Sequence, residues 1–252
     1  MLLEAKRVTR RFGAFTAVDG ADLAVAEGEM IGLIGPNGAG KSTFFNCLAG
    51  DLPPSGGQVM FAGRDVTRAS PEAHARLGMG RTFQVPATFE DMSILENVMV
   101  GAFLRHPERE AARAAAGRVL EQVGLAPLAD SRARSLGTPG RKRLEIARVL
   151  ATGPKLLLLD EALAGLNPAE IVEAIALVRA IHASGITIVI VEHIMEVILS
   201  LAERVIVFNQ GRIIAHGRPR EVVDDPEVVA AYLGQSLKRA PRRRGPAASL
   251  PP

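Results

Sequence analysis

Cysteine is nearly absent from this 252-residue sequence: Cys47 stands alone, so no internal disulfide can form, and a reducing cytoplasm is expected. It lies in the apolar stretch FFNCLAG, which favours a buried thiol over a reactive one. Tryptophan is missing and aromatics reach only 4%, yet 48% hydrophobic and 23% charged residues exclude disorder for the bulk of the chain. Long apolar runs are missing too. The longest, LLLL at 156–159 and ITIVIV at 186–191, fall far short of the ~20 residues needed to cross a bilayer. The first residues meet Glu4, Lys6 and Arg7 at once, which leaves no apolar stretch for a signal peptide. The chain is therefore expected to stay where it is made. No internal repeat is visible.

A sequence pI near 9.4 invites a nucleic-acid reading, but the charge is unevenly placed. Lys238, Arg239, Arg242, Arg243 and Arg244 sit in a tail, KRAPRRRGPAASLPP, without a single acid. The rest of the chain carries 25 bases against 27 acids, so its body is about −2 and offers little to a phosphate backbone. Rich in Pro, Ala and Arg, the tail at 238–252 reads as a disordered, solvated end, with attraction to anionic lipid as the sharper alternative.

Apolar runs bounded by Gly, Pro and acids alternate with helical periodicity, which predicts an α/β fold with a largely parallel central sheet. MIGLIG at 30–35, KLLLLD at 155–160 and TIVIVE at 187–192 are apolar throughout, as strands buried on both faces must be. Shorter β candidates, VTRRF at 8–12, QVMFAG at 58–63, RVIVFN at 204–209 and RIIAHG at 212–217, suit an antiparallel flank. Between them, Ser93 and Glu96 have capping-box spacing, and EREAARAAAGRVLEQVG is strongly helical. These mark a helical subdomain over about 85–152, a lobe of one unit spanning 1–237.

GPNGAGKST at 35–43 fits G-x-x-x-x-G-K-[ST] and lies between an apolar strand and a helical segment, as a phosphate-binding loop must. Its residues Gly35, Pro36, Asn37, Gly38, Ala39 and Gly40 let backbone N–H groups turn inward at phosphate, while the helix start adds positive dipole. Lys41 can then bridge the β- and γ-phosphates, and the Ser42 hydroxyl, beside Thr43, can ligate Mg²⁺. A glycine turn that merely starts a helix would not need Lys-Ser there. Asp160 and Glu161 end KLLLLDE at the strand edge where ligands sit in open α/β sheets. Asp160 can hold Mg²⁺ through water and Glu161 can polarise the attacking water. Alone, the two acids would serve equally well as a solvated helix cap. The phosphate loop favours the chemical reading.

In these motifs the chain resembles the nucleotide-binding subunit of an ATP-binding cassette (ABC) transporter, with a P-loop NTPase fold, from about residue 3 to 235. Within that family it looks most like subunits of branched-chain amino acid importers. The resemblance assigns Gln84, in RTFQ, to Mg²⁺ and the attacking water, and His193, in IVIVEH, to sensing the γ-phosphate. It matches Phe12 to the aromatic that stacks on adenine; without it, Phe12 reads as core. It identifies Gly165, Leu166 and Asn167 with a loop that communicates between paired cassettes, Asn167 standing at the usual Asp. Asn167, Pro168 and Glu170 also read as a helix start, and the two roles can coexist.

Such cassettes work face to face, each completing the other's ATP site with a signature turn. Leu136 is followed by Gly137 where Ser is usual, then Thr138, with Pro139 and Gly140 where Gly and Gln or Glu are usual. The turn is degenerate, and Thr138 is expected either to cap the helix or to offer its hydroxyl to phosphate. The resemblance implies an ATPase using ATP and Mg²⁺, peripheral at the cytoplasmic face of the membrane and energising an importer for branched-chain or other hydrophobic amino acids. Implied partners are transmembrane permease subunits, a second cassette in a homo- or heterodimer and an extracytoplasmic substrate-binding protein. Val85, Pro86 and the segment 89–92 are the candidate permease contacts. Alternatives are a cassette for urea, aromatic acids or lipid export and a non-transport cassette acting on nucleic acid or ribosomes; no nucleic-acid partner is expected.

Overall fold

A computed structural model describes residues 1–83 and 88–239, with backbone alone for 233–239. Gln84, Val85, Pro86 and the end of the basic tail thus lie outside the described residues. Two sheets form the frame. One is a four-stranded antiparallel sheet of β1 (Leu3–Phe12), β2 (Phe15–Val25), β4 (Gly56–Phe61) and β5 (Arg64–Asp65), in the order β2-β1-β4-β5. The other has six strands: β3 (Met30–Ile34), β6 (Met79–Arg81), β7 (Leu156–Asp160), β8 (Thr187–Val191), β9 (Arg204–Asn209) and β10 (Arg212–Gly217). Their order is β10-β9-β3-β8-β7-β6, all neighbours parallel except the β9–β10 hairpin.

The apolar strands follow from burial on both faces. In β7, Leu156 and Leu158 enter one core cluster while Leu157 and Leu159 enter the other, and β8 divides in the same way, Val189 and Val191 against Ile188 and Ile190. One cluster joins the sheet to α1 (Lys41–Ala49) and the antiparallel flank through Phe44, Phe45 and Leu48. Full burial of each such side chain contributes about 1.5–3 kcal/mol. The other cluster joins the sheet to α3 (Ile94–Ala102), α4 (Arg109–Gln122), α5 (Thr138–Leu150), α6 (Pro168–Ala183) and α7 (Met195–Leu201). Shorter or peripheral helices are α2 (Pro71–Leu77), α8 (Pro219–Val223) and α9 (Pro226–Arg239).

Two expectations change. RVIVFN and RIIAHG are β9 and β10 of the six-stranded sheet, not part of the antiparallel flank: β10 pairs with β9 as an edge hairpin, and β9 runs parallel to β3 with Ile31 opposite Arg204 and Leu33 opposite Ile206. The physical reason is two-sided burial of β9, Val205 and Val207 in one cluster, Ile206 and Phe208 in the other. The flank gains β2 instead, which DGAD at 19–22 disguises as a turn; Arg7 N donates to Asp22 Oδ1 (2.8 Å) and Gly20 N to Thr9 Oγ1 (3.0 Å), holding the strand through its register shifts. The capping box over Ser93 and Glu96 is present at the start of α3. Among the described residues no helix is long and apolar enough to cross a membrane.

Candidate functional site

The loop 35–40 joins the end of β3 to α1, and its shape is fixed by close approaches that only glycine permits. A Cβ on Gly35, at φ +144°, would lie 2.1 Å from the Phe208 carbonyl oxygen, and one on Gly40, at φ +103°, 2.4 Å from that of Ala17. The β9–β10 turn braces the loop, with Gly211 N donating to the Ala39 carbonyl at 2.8 Å. Helix α1 opens on Gly40 without a side-chain cap, so its first N–H groups remain free for an anion.

Lys41 follows with 5% of its surface exposed, and its Nζ donates to the Gly35 and Pro36 carbonyls at 2.7 and 3.0 Å. Burial pushes its pKa down, offset in part by the Glu161 and Asp160 carboxylates. A buried ammonium held by carbonyls beside an uncapped helix start is a donor set that fits a polyphosphate. The hard oxygens nearby, an exposed Ser42 and the Asp160 carboxylate, fit Mg²⁺. No group of three or more His, Cys, Asp or Glu that could hold a metal ion occurs among the described residues.

Asp160 ends β7 with its carboxylate almost buried. Burial raises its pKa, while the guanidinium of Arg81, 2.9 Å away, pulls it down. Glu161 is one residue on, at φ +48°, outside the usual range for a side chain of its kind. It is held there by backbone and side chain: its N–H donates to the Val191 carbonyl (2.9 Å), its carbonyl accepts from Lys142 Nζ (3.2 Å) and Ala164 N (3.1 Å), and its Oε1 lies 2.5 Å from His193 Nε2. With the backbone in this turn, the Glu161 carboxylate reaches His193, which follows β8. Phe15, Ala17, the loop from Asn37 to Thr43, Glu161 and His193 line one opening of about 300 Å³. Strand ends more than 150 residues apart in sequence therefore meet around the phosphate loop.

Several site residues lie elsewhere. Phe12 is 47% exposed and stacked by the Arg10 guanidinium at 4.8 Å, so its reading as core is overturned. It pairs across the β1–β2 turn with Phe15, 65% exposed, and Phe15 is the aromatic that lines the opening. That residue was missed, although two Phe flanking Gly13-Ala14 in a hairpin must share a face. The turn Gly137–Gly140 lies apart from the opening, at the start of α5. Its N-cap is Gly137, not Thr138, which is already the first helical residue, and no side chain caps the helix. Gly165, Leu166 and Asn167 lead into α6, where Asn167 and Glu170 form a reciprocal capping box at 2.8 and 3.0 Å.

Buried charges tie the helical side to the strand ends, and the sequence reading missed them. Glu145 on α5 accepts from Phe83 N at 2.6 Å, immediately before Gln84, and burial raises its pKa. Glu192 accepts from Leu163 N at 2.8 Å; burial raises its pKa as well, and Lys142 lies close enough to oppose that shift. The signal was available in RKRLE, where a Lys and a Glu three apart fall on the apolar face of a helix. A second cleft, about 290 Å³ and mostly apolar, opens between α2, β6, α3 and α5, with Arg81 and Asp51 in its wall.

A family model described as ABC transporter matches residues 18–164, and one described as branched-chain amino acid ATP-binding cassette transporter matches residues 212–237. The chain is 38% identical over 252 residues to the high-affinity branched-chain amino acid transport ATP-binding protein BraF of Pseudomonas aeruginosa, covering 93% of this chain and 98% of that one. It is 35% identical over 240 residues to the lipopolysaccharide export system ATP-binding protein LptB of Acidithiobacillus ferridurans, covering 94% and 98%. A crystal structure of the ADP conformation of an ABC transporter's ATP-binding cassette superposes with a TM-score of 0.84 at 33% identity, covering 92% and 98%. With more than half its length inside the first model and relatives matched nearly end to end, the chain belongs to the ABC transporter family, as one of its ATP-binding, ATP-hydrolysing cassettes.

Proposed function

We propose that this ATPase energises a membrane importer of branched-chain or other hydrophobic amino acids from the cytoplasmic face, with residues 1–237 as the cassette and about 85–152 as its helical subdomain. The observation that carries the reading is the convergence of Lys41, Glu161 and His193 on one opening at the strand ends. The match of residues 212–237 to the branched-chain model supports the cargo class. The likeness to LptB gives a second reading, the ATPase of a lipid exporter.

In this mechanism the loop 35–40 and the first N–H groups of α1 bind the phosphates, and Lys41 turns from the Gly35 and Pro36 carbonyls onto the β- and γ-oxygens. Ser42, Asp160 and Gln84 would hold Mg²⁺, which when bound neutralises charge on the phosphate oxygens. Glu161 polarises the attacking water, with its position set by His193 at 2.5 Å. Phe15 and Phe12 offer apolar faces to the base. The turn Gly137–Gly140, outside its own opening, faces the ATP of a second cassette, and the loop 165–167 runs between the two. The apolar cleft beside Phe83 and Phe89 receives a permease segment, and an extracytoplasmic binding protein delivers cargo.

The test is leucine uptake by the complete transporter in proteoliposomes, with wild-type chain and with Glu161→Gln. Wild type should couple ATP hydrolysis to leucine, isoleucine or valine uptake, and Glu161→Gln should bind ATP while losing turnover by about a hundredfold or more. Normal turnover in the variant removes Glu161 from its role, and stimulation by lipid instead of amino acid transfers the chain to the second reading.

A further inference from the structure

We propose that Arg81 is the positioning residue that fixes Asp160 for the divalent ion; this rests on the reading of Asp160 as the carboxylate that holds Mg²⁺. Arg81 ends β6, the strand next to β7, and Thr82 continues the pairing, its N–H donating to the Leu158 carbonyl at 2.9 Å. Asp160 N in turn donates to Thr82 Oγ1 at 3.2 Å, so backbone and side chain are both tied to this one neighbour. The guanidinium reaches in two directions: Nη2 donates to Asp160 Oδ2 at 2.9 Å and Nη1 to Asp51, just beyond α1. Phe45 and Phe83 lie at 5.3 Å from it, each by its ring centroid, and restrict its movement. The hydrogen bond occupies Oδ2 of Asp160 and leaves Oδ1 for the ion or its water.

Stability alone does not explain this arrangement. The side chain keeps only 13% of its surface, and its Nε is buried and finds no hydrogen-bond partner among the described residues. A buried guanidinium with an unsatisfied donor costs free energy that an aliphatic side chain filling the same slot would avoid. What an aliphatic chain cannot supply is a planar fork bridging two carboxylates, and lysine offers only a point charge. Outer partners of ligating carboxylates act in this way, by fixing the orientation of the ligand.

The experiment measures Mn²⁺ binding to the full chain in complex with ADP, by electron paramagnetic resonance of the metal, with ADP affinity in EDTA as the metal-free reference. Arg81→Met should weaken Mn²⁺ by about tenfold or more, the scale on which outer-shell partners act, with metal-free ADP affinity unchanged. Arg81→Lys should recover part of the loss, and Asp51→Asn, which removes only the outer tether and serves if Arg81→Met does not fold, should show a smaller loss in the same direction. Asp160→Asn separates the two layers of the argument. If it weakens Mn²⁺ while the Arg81 and Asp51 variants match wild type, the positioning role is overturned and the reading of Asp160 stands. If Asp160→Asn itself binds Mn²⁺ normally, that reading falls and the role of Arg81 falls with it. A parallel loss of metal-free ADP affinity in Arg81→Met would also overturn the proposal, because general damage to the site and not the metal would then explain it.

Discussion

The starts of α1 and α5 are alike in lacking a side-chain cap and unlike in almost everything else. At α1 the preceding glycines are compelled: a side chain at Gly35 or Gly40 would run into the backbone of Phe208 or Ala17. At α5 the preceding residue, Gly137, has φ −69°, and a Cβ there would meet nothing closer than the Pro139 ring at 3.9 Å. Gly140 would press only on the Leu136 side chain, at 2.9 Å, which can move. The first turn is braced from within its own chain, whereas the second is exposed and constrained from within only lightly. A turn so lightly constrained can therefore depart from the Ser and glycine pattern of its family without harm to its own fold.

Three substitutions sharpen this contrast, in descending size. Gly40→Ala forces a left-handed alanine against a carbonyl and should cost about 3 kcal/mol or more in urea unfolding, with nucleotide binding lost by calorimetry. Normal nucleotide binding by this variant would remove the claim that the α1 turn is compelled. Lys41→Ala should keep the fold, since it removes a buried charge, but lower ATP affinity about a hundredfold, the worth of a charged hydrogen-bonding partner of phosphate. Unchanged affinity would sink the phosphate-loop assignment. Gly137→Ser should alter unfolding free energy by only a few tenths of a kcal/mol, the usual gap between these two residues as N-caps, visible as a small shift in Tm. A large loss there would mean that the α5 turn is as internally constrained as the α1 turn.

How far each region could be read from sequence follows the same division. GPNGAGKST was legible because its residues answer to local backbone geometry and to phosphate together. The strands MIGLI, LLLLD and TIVIV were legible because burial on both faces leaves polar residues only at their ends, Asp160 and Thr187. β9 shares that pattern, yet RVIVFN is polar at both ends and forms the first arm of a hairpin, features that a flank strand has as well. β2 was hidden by acids and glycine at 19–22, tolerable only because the strand lies at a sheet edge. Of the site, Lys41, Asp160, Glu161 and His193 were named from motif and resemblance, and the geometry brings Lys41, Glu161 and His193 to one opening with Asp160 beside Glu161. Arg81, Lys142, Glu145 and Glu192 were not named. Each is a charge whose importance comes from burial between elements far apart in sequence; RKRLE places Lys142 and Glu145 on an apolar helix face, but no local pattern shows what Arg81 and Glu192 meet.

The backbone at Glu161 has a bearing on how replacements there are interpreted. Its positive φ is uncommon for any side chain and hardest for β-branched ones, so the position filters substitutions by shape before it filters them by charge. Val or Thr would disturb the loop and confuse misfolding with lost chemistry. Glycine would relax the backbone while deleting the carboxylate, and glutamine would keep both size and conformation. A mutational scan of this residue is therefore two superimposed scales, and only the glycine-to-alanine step isolates the conformational one.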